Sequence, residues 1–315
     1  MAQDRTQPQR RRAWFFALVP AVLFALAIAF FLVSRARKEA AAGKPGTPIV
    51  FVLSQQHGAR LGPEERQAMA AHLQRESGLV VEVRVAPSSL DGIEGFARTA
   101  DVGLLPLFEY LLAQKEYAVE ARLQILRESG ATTYAGEILV PANSTWRALA
   151  DLQGKRFAYV DPYSTSGFVF PAKLLADAGI RVAPEFAGSH EEVIARLTDG
   201  RVDAGATYAG AASRERGLRA IARTEAIPNE PLFFRRDLPP EKRDRLLAAM
   251  QSFARTKEGQ AILRRMGGVT GFRDIENAHY HPVLAALRAA GKSVYEVVPD
   301  GIRIESRQRG IEYVP

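Results

Sequence analysis

The 315-residue chain contains no cysteine. That absence excludes structural disulfides, thiolate metal sites, a cysteine nucleophile and a lipid-modified cysteine behind a signal segment. Histidine is scarce as well. The five, His57, His72, His190, His279 and His281, include no His-x-x-x-His pair, and His279-Tyr-His281 has no acidic ligand at typical metal-site spacing. Neither a metal nor a cofactor is expected. No Gly-x-Ser-x-Gly elbow is present, so the hydrolase signature that the motif carries is missing. Ser166, His190 and Asp203 supply triad residue types, but nothing in their spacing makes them one.

Basic residues are unevenly placed. The net charge is +7, yet eight of the 42 Lys/Arg and two of the 35 Asp/Glu fall in residues 1–48, leaving 34 basic against 33 acidic and a net charge of +1 for the body. The body has no Lys/Arg stripe interleaved with aromatics, so no nucleic-acid partner is expected. Hydrophobic residues at 47% and charged residues at 24% describe an ordinary folded protein.

What the chain does have begins at its amino end. Residues 1–12 form a basic tail ending in Arg10-Arg11-Arg12, and residues 13–33 are an apolar run long enough to span a bilayer as a helix. The flanking arginines predict a cytoplasmic tail and a body on the far side, which in a bacterial cell is the periplasm. This segment is expected to be a retained single-pass inner-membrane anchor. The competing reading is a signal peptide cleaved near Ala40-Ala41-Ala42, with a twin-arginine-like start. Residues 34–48, with Gly43, Pro45, Gly46 and Pro48, read as a linker.

From Ile49 onward, apolar strand-like runs alternate with helical stretches. Ile49–Leu53, Leu79–Val85, Asp101–Leu105 and Arg122–Leu126 read as strands; Pro63 to Gly78 and Leu107–Lys115 read as helices. A second unit repeats the pattern, with strands at Tyr134–Val140, Phe157–Val160, Arg201–Thr207 and Leu218–Ala222, and a helix opened by Ser189 and Glu192 at capping-box spacing. From Pro231 the chain reads as mostly helical. The fold class is α/β, with ligands expected beyond the carboxyl ends of the strands.

One stretch organises the rest. After the strand Phe157–Val160 come Asp161-Pro162-Tyr163, then Ser164-Thr165-Ser166-Gly167, then the apolar helical segment Phe168–Ala178. The first N–H groups of a helix lack intrahelical partners and carry partial positive charge, so an anion fits there. Three hydroxyls add donors, and Gly167 allows close approach. The plain alternative is a loop with a helix cap.

Several segments together resemble the substrate-binding proteins of phosphate, phosphite and phosphonate ABC transporters. They are Ala100–Gly103 through Glu109-Tyr110, Leu149–Lys155, Asp161–Gly167, Gly188–Glu191, Gly200–Gly205 and Ile227–Pro231, in the family's order and approximate spacing. The resemblance implies a two-lobed type II periplasmic-binding-protein fold that closes on its ligand. Residues 49–135 plus 230–315 would form the first lobe, and residues 136–229 the second. It also implies a non-enzymatic protein that captures a phosphorus oxyanion (phosphate, phosphite or an alkylphosphonate) and presents it to an ABC permease. A ligand sensor signalling to a sensor kinase or other membrane partner is the alternative.

Carried over residue by residue, Ser164, Thr165 and Ser166 match the oxyanion motif, with Gly167 beside them. His190 matches the family's histidine, and Tyr110 a tyrosine facing the cleft, although a core aromatic is its other reading. Glu230 matches an acidic position that relatives use to hold an ammonium group, or that accepts a proton from the oxyanion. The second acidic position falls near Gly210 and is not acidic, so Tyr208 is offered as a replacement contact. Asp203 reads as structural. The loop Ser54–Gly58 faces the cleft from the first lobe, with its contacts left open.

Overall fold

The computed structural model describes residues 22–30, 33, 39–211 and 217–309. Two units separate at Pro48. In the first, residues 22–30 are helical with Val22, Leu23, Phe24, Leu26, Ile28 and Phe30 exposed. Among the described residues no helix is long and apolar enough to cross a membrane. Residues 13–21, 31 and 32 of the expected anchor lie outside the described set.

The second unit is built on two sheets. Strand β1 (Ile49–Leu53) is buried along its whole length and pairs in parallel with β2 (Val81–Val85) and β3 (Val102–Leu104). A strand buried on both faces needs no polar alternation, which explains its unbroken apolar run. The chain then forms β4 (Glu120–Leu126) and crosses through β5 (Thr133–Tyr134) into β6 (Gly136–Pro141), β7 (Arg156–Tyr159), β8 (Ala183–Phe186), β9 (Ala204–Tyr208) and β10 (Leu218–Arg223). It returns through β11 (Ile227–Pro228) to β12 (Pro231–Phe234) and β13 (Gly271–Asp274). The first sheet has the order β13-β4-β12-β3-β1-β2, and the second β10-β6-β9-β7-β8.

The two crossings pair with each other: β5 and β11 form a two-stranded antiparallel ribbon, Ile227 opposite Tyr134 and Pro228 opposite Thr133. Buried Asn229 secures it, donating to the carbonyls of Ile125 and Ala131 at 3.1 and 2.8 Å. Paired crossing strands between two sheets are the hinge geometry of a fold that closes around a ligand. This second unit is a two-lobed α/β fold of the periplasmic-binding-protein type.

Three elements depart from the sequence reading. Pro231–Phe234, read as the start of a helical region, is a buried strand between β3 and β4. Its proline occupies the first strand position, where a missing N–H is tolerated. Strands β8 and β13 are additional. β8 is an exposed edge strand containing Pro184, and β13 has only four residues, so neither shows a period that sequence could reveal. The carboxy-terminal segment, assigned to the first lobe, touches both. Helix His281–Ala289 packs on helix Phe170–Asp177 of the second lobe, whereas the Tyr295 hydroxyl donates to Glu116 at 2.5 Å in the first, and Arg307 pairs with Glu94 there.

Candidate ligand-binding site

Parallel strands of both sheets point their carboxyl ends at one cleft. β1 leads to Gln56, β3 to Pro106 and Glu109, β7 to Asp161 and Ser164–Ser166, and β9 to Tyr208. The cavity measures about 800 Å³. That volume exceeds a bare oxyanion and lies within the usual range of small-molecule sites.

The Ser-Thr-Ser element is a π-helical turn, Thr165–Val169, running directly into helix Phe170–Asp177. Ser164 is its cap: the backbone is extended, and the hydroxyl accepts the Gly167 N–H at 3.0 Å. The Val169 N–H reaches back to the Ser164 carbonyl at 3.1 Å. Among the described residues, the N–H groups of Thr165 and Ser166 have no partner within the chain. Both residues line the cleft. Unpartnered N–H groups at a helix start, together with hydroxyls, are the donors an oxyanion cradle requires. Gly136 allows the cradle to sit where it does, because a Cβ there would lie 2.5 Å from the Ser166 carbonyl oxygen.

Gly167 is corrected from ligand contact to scaffold. It is buried, its N–H is committed to Ser164, and its carbonyl accepts the Val160 N–H at 3.1 Å. Tyr110 is corrected too. It is fully buried, its hydroxyl donates to Asn277 Oδ1 at 3.0 Å, and its ring packs against Phe233 and Tyr280. Successive helix residues are rotated by about 100°; Glu109 therefore takes the cleft face, and Tyr110 next to it turns into the core.

His190 opens helix His190–Thr198 behind its cap Ser189, and lines the cleft. Its Nδ1 is 2.7 Å from the Thr207 hydroxyl, and its ring meets Tyr208 edge-on at 5.1 Å. Burial holds the imidazole below its ordinary pKa, so it is neutral at pH 7. In the tautomer in which the Thr207 hydroxyl donates to Nδ1, the ring proton is on Nε2 and is free to donate. Asp203 is far from this work: it holds the Arg156 guanidinium at 2.8 Å and the Arg156 N–H at 2.9 Å, at the amino ends of β7 and β9. Ser166, His190 and Asp203 therefore do not assemble into a triad.

The opposite wall carries Glu230, expected from the sequence, together with an arginine that sequence reasoning missed. Arg127, just after β4, grips Glu230 with both terminal nitrogens, at 2.7 and 3.1 Å. Burial alone would raise the Glu230 carboxyl; the adjacent guanidinium outweighs that and holds it below its usual range. Tyr134, between this pair and the cradle, shares a 2.7 Å hydrogen bond with the Thr165 hydroxyl. Gln56 is the part of the Ser54–Gly58 loop that faces the cleft, whereas Ser54 and His57 turn inward and bond to each other at 2.9 Å. Burial pushes His57 down to about 4, so it too is neutral. Glu109 is buried, with Oε1 accepting from Ser89 at 2.5 Å and Oε2 unpartnered; burial, opposed by that hydrogen bond, pushes it up to about 7.

Two lobes joined by a paired-strand hinge frame the cleft onto which the Thr165–Val169 turn opens. A family model described as "ABC transporter, phosphonate, periplasmic substrate-binding protein" matches residues 52–280. The chain belongs to that phosphonate-binding family. It is 30% identical over 151 residues to the phosphate-import protein PhnD of Mycolicibacterium smegmatis, an alignment covering 43% of this chain and 47% of that one. Identity is 25% over 160 residues to the phosphonates-binding periplasmic protein of Escherichia coli, covering 46% and 47%. The chain thus spans about half the length of the curated relatives it matches. Among solved structures, PhnD1 of Prochlorococcus marinus in complex with methylphosphonate superposes with a TM-score of 0.58 at 18% identity, covering 78% of this chain and 98% of that one.

Proposed function

We propose that this protein captures a phosphorus oxyanion (phosphate, phosphite or an alkylphosphonate) between its lobes and delivers it to an ABC permease. The observation that carries the reading is the Thr165–Val169 turn, whose first residues line the cleft and carry N–H groups without a partner in the chain. His190 Nε2 and the Tyr208 side of the second lobe complete the anion's surroundings, and hinge closure brings the first lobe over it. Without a Lys or Arg in the cradle itself, selectivity comes from directed donors more than from net charge.

Titration with methylphosphonate of the full chain and of its Ser164→Ala and Thr165→Ala variants tests this. Each variant is expected to lose about 1.5–3 kcal/mol, the range for a hydrogen bond to a charged group. Unchanged affinity in both would remove the cradle from the site.

We extend the proposal to location. The body lies in the periplasm, tethered to the inner membrane by the apolar run of residues 13–33. The exposed apolar side chains of the helical residues 22–30 support this reading, as do the flanking arginines. On fractionation the full-length chain should stay with the membrane through an alkaline wash. A soluble chain shortened to the Ala40–Ala42 region would mean cleavage instead.

A further inference from the structure

Within the proposed receptor role, the Arg127–Glu230 pair decides what may hang from the phosphorus atom. An ammonium group needs a carboxylate with free lone pairs facing it. Here Glu230 Oε1 takes Arg127 Nη2 and lies 3.4 Å from the Gln56 amide nitrogen, while Oε2 takes Arg127 Nη1. The exposures decide the sign of what the cleft sees. The Glu230 side chain is 7% exposed and the Arg127 side chain 24%, so the pair shows its cationic half.

The fork is not exhausted by this pairing. Of the five N–H donors of a guanidinium, two bind Glu230 and the Nε–H binds the Gly267 carbonyl at 3.1 Å. Two terminal N–H groups are left. Carboxylates matching a planar fork are the natural partners of such a group. Tyr134 links the two ends of the site: its hydroxyl meets Thr165 in the cradle, and its ring lies in the field of both Arg127 and Glu230. The cavity of about 800 Å³ leaves room beyond the oxyanion for a substituent to reach the fork. Asp161, Glu191 and Glu109 also line the cleft; Glu191 is exposed, where water screens it, and Glu109 is a buried carboxyl bound to Ser89 and pushed up to about 7 by burial, so it is about half protonated at neutral pH.

We infer that Arg127 is a specificity-determining residue that turns the cleft away from aminoalkylphosphonates and toward phosphonates bearing an acidic tail, carboxyalkylphosphonates being the class that fits. The inference rests on the receptor reading above, and its test separates the two.

The full chain is titrated with methylphosphonate, aminoethylphosphonate and carboxyethylphosphonate, and the readout is the ratio of the last two affinities. Carboxyethylphosphonate should bind about tenfold tighter than aminoethylphosphonate. Arg127→Gln should collapse or invert that ratio, because Glu230 is then freed for an ammonium group. Glu230→Gln should raise it, because the fork loses its internal partner; this second variant keeps the test open if Arg127→Gln fails to fold. A ratio at or below one in the unaltered chain would overturn the inference, as would a ratio that Arg127→Gln leaves unchanged by weakening all three ligands equally. Methylphosphonate binding alongside either result keeps the receptor reading intact, whereas no binding of any of the three would overturn both.

Discussion

Gly167→Val is expected to abolish oxyanion binding and to destabilise the second lobe by about 1–3 kcal/mol, the usual range for overpacking a tight site. A Cβ at this position would lie 2.6 Å from Val160 Cβ and 2.8 Å from Ser164 Oγ. Val160 is buried at the end of β7 and cannot yield without moving the strand. Ser164 is the cap of the cradle, so displacing its hydroxyl re-aims the N–H groups of Thr165 and Ser166. The glycine thus acts through geometry. It ties the turn to the strand by its own N–H and C=O, and its missing side chain keeps the donors converged on one point. Titration with methylphosphonate and a thermal melt read the two effects separately. Gly167→Ala should move both in the same direction by less, and native affinity in the valine variant would contradict this role.

Glu109 sets the second large effect, on the pH dependence of stability. Its carboxyl is pushed from 4.5 up to about 7 in the folded state by burial. Below pH 4.5 it is protonated whether folded or unfolded and contributes no difference. As pH rises from 4.5 to 7 the unfolded chain releases the proton while the folded chain retains it, so stability falls by on the order of 3 kcal/mol and then levels off. Glu109→Gln mimics the neutral acid and still accepts from Ser89. It should therefore match the unaltered chain near pH 4 and exceed its stability by up to about 3 kcal/mol at pH 8. Denaturant unfolding across that range checks this, and a pH-independent difference would show that Glu109 does not carry a buried proton.

Much of this architecture is legible in the sequence because its cause is local. The run Ile49–Leu53 announces a strand buried on both faces, and Ser164-Thr165-Ser166-Gly167 between a strand and an apolar helix announces a capped helix start. Ser189 before His190 and Glu192 does the same for the second helix at the cleft: its hydroxyl accepts the Glu192 N–H at 3.1 Å.

What the sequence conceals is set by contacts at long range. Arg127 is one arginine after an ordinary strand, and its partner Glu230 lies 103 residues away. No spacing rule connects them; only the hydrogen-bonded neighbours β4 and β12 do. Tyr134 and Thr165 meet for the same reason, across the crossing strand. Tyr110 shows the opposite failure, in which the right helix at the cleft was combined with the wrong face of it. A one-residue step along a helix exchanges cleft for core, and Asn277, which fixes the tyrosine hydroxyl, comes from a distant turn. Strand β12 was hidden by its proline, whose position at the strand start is apparent only once the neighbours are in place.

The central claim is that the Ser-Thr-Ser turn makes this cleft a receptor for phosphorus oxyanions. Calorimetric titration of the full chain with phosphate, phosphite, methylphosphonate and sulfate in turn tests it most directly. One-to-one binding of at least one phosphorus oxyanion, in preference to sulfate, is the predicted result. A folded chain that binds none of the phosphorus oxyanions would contradict it.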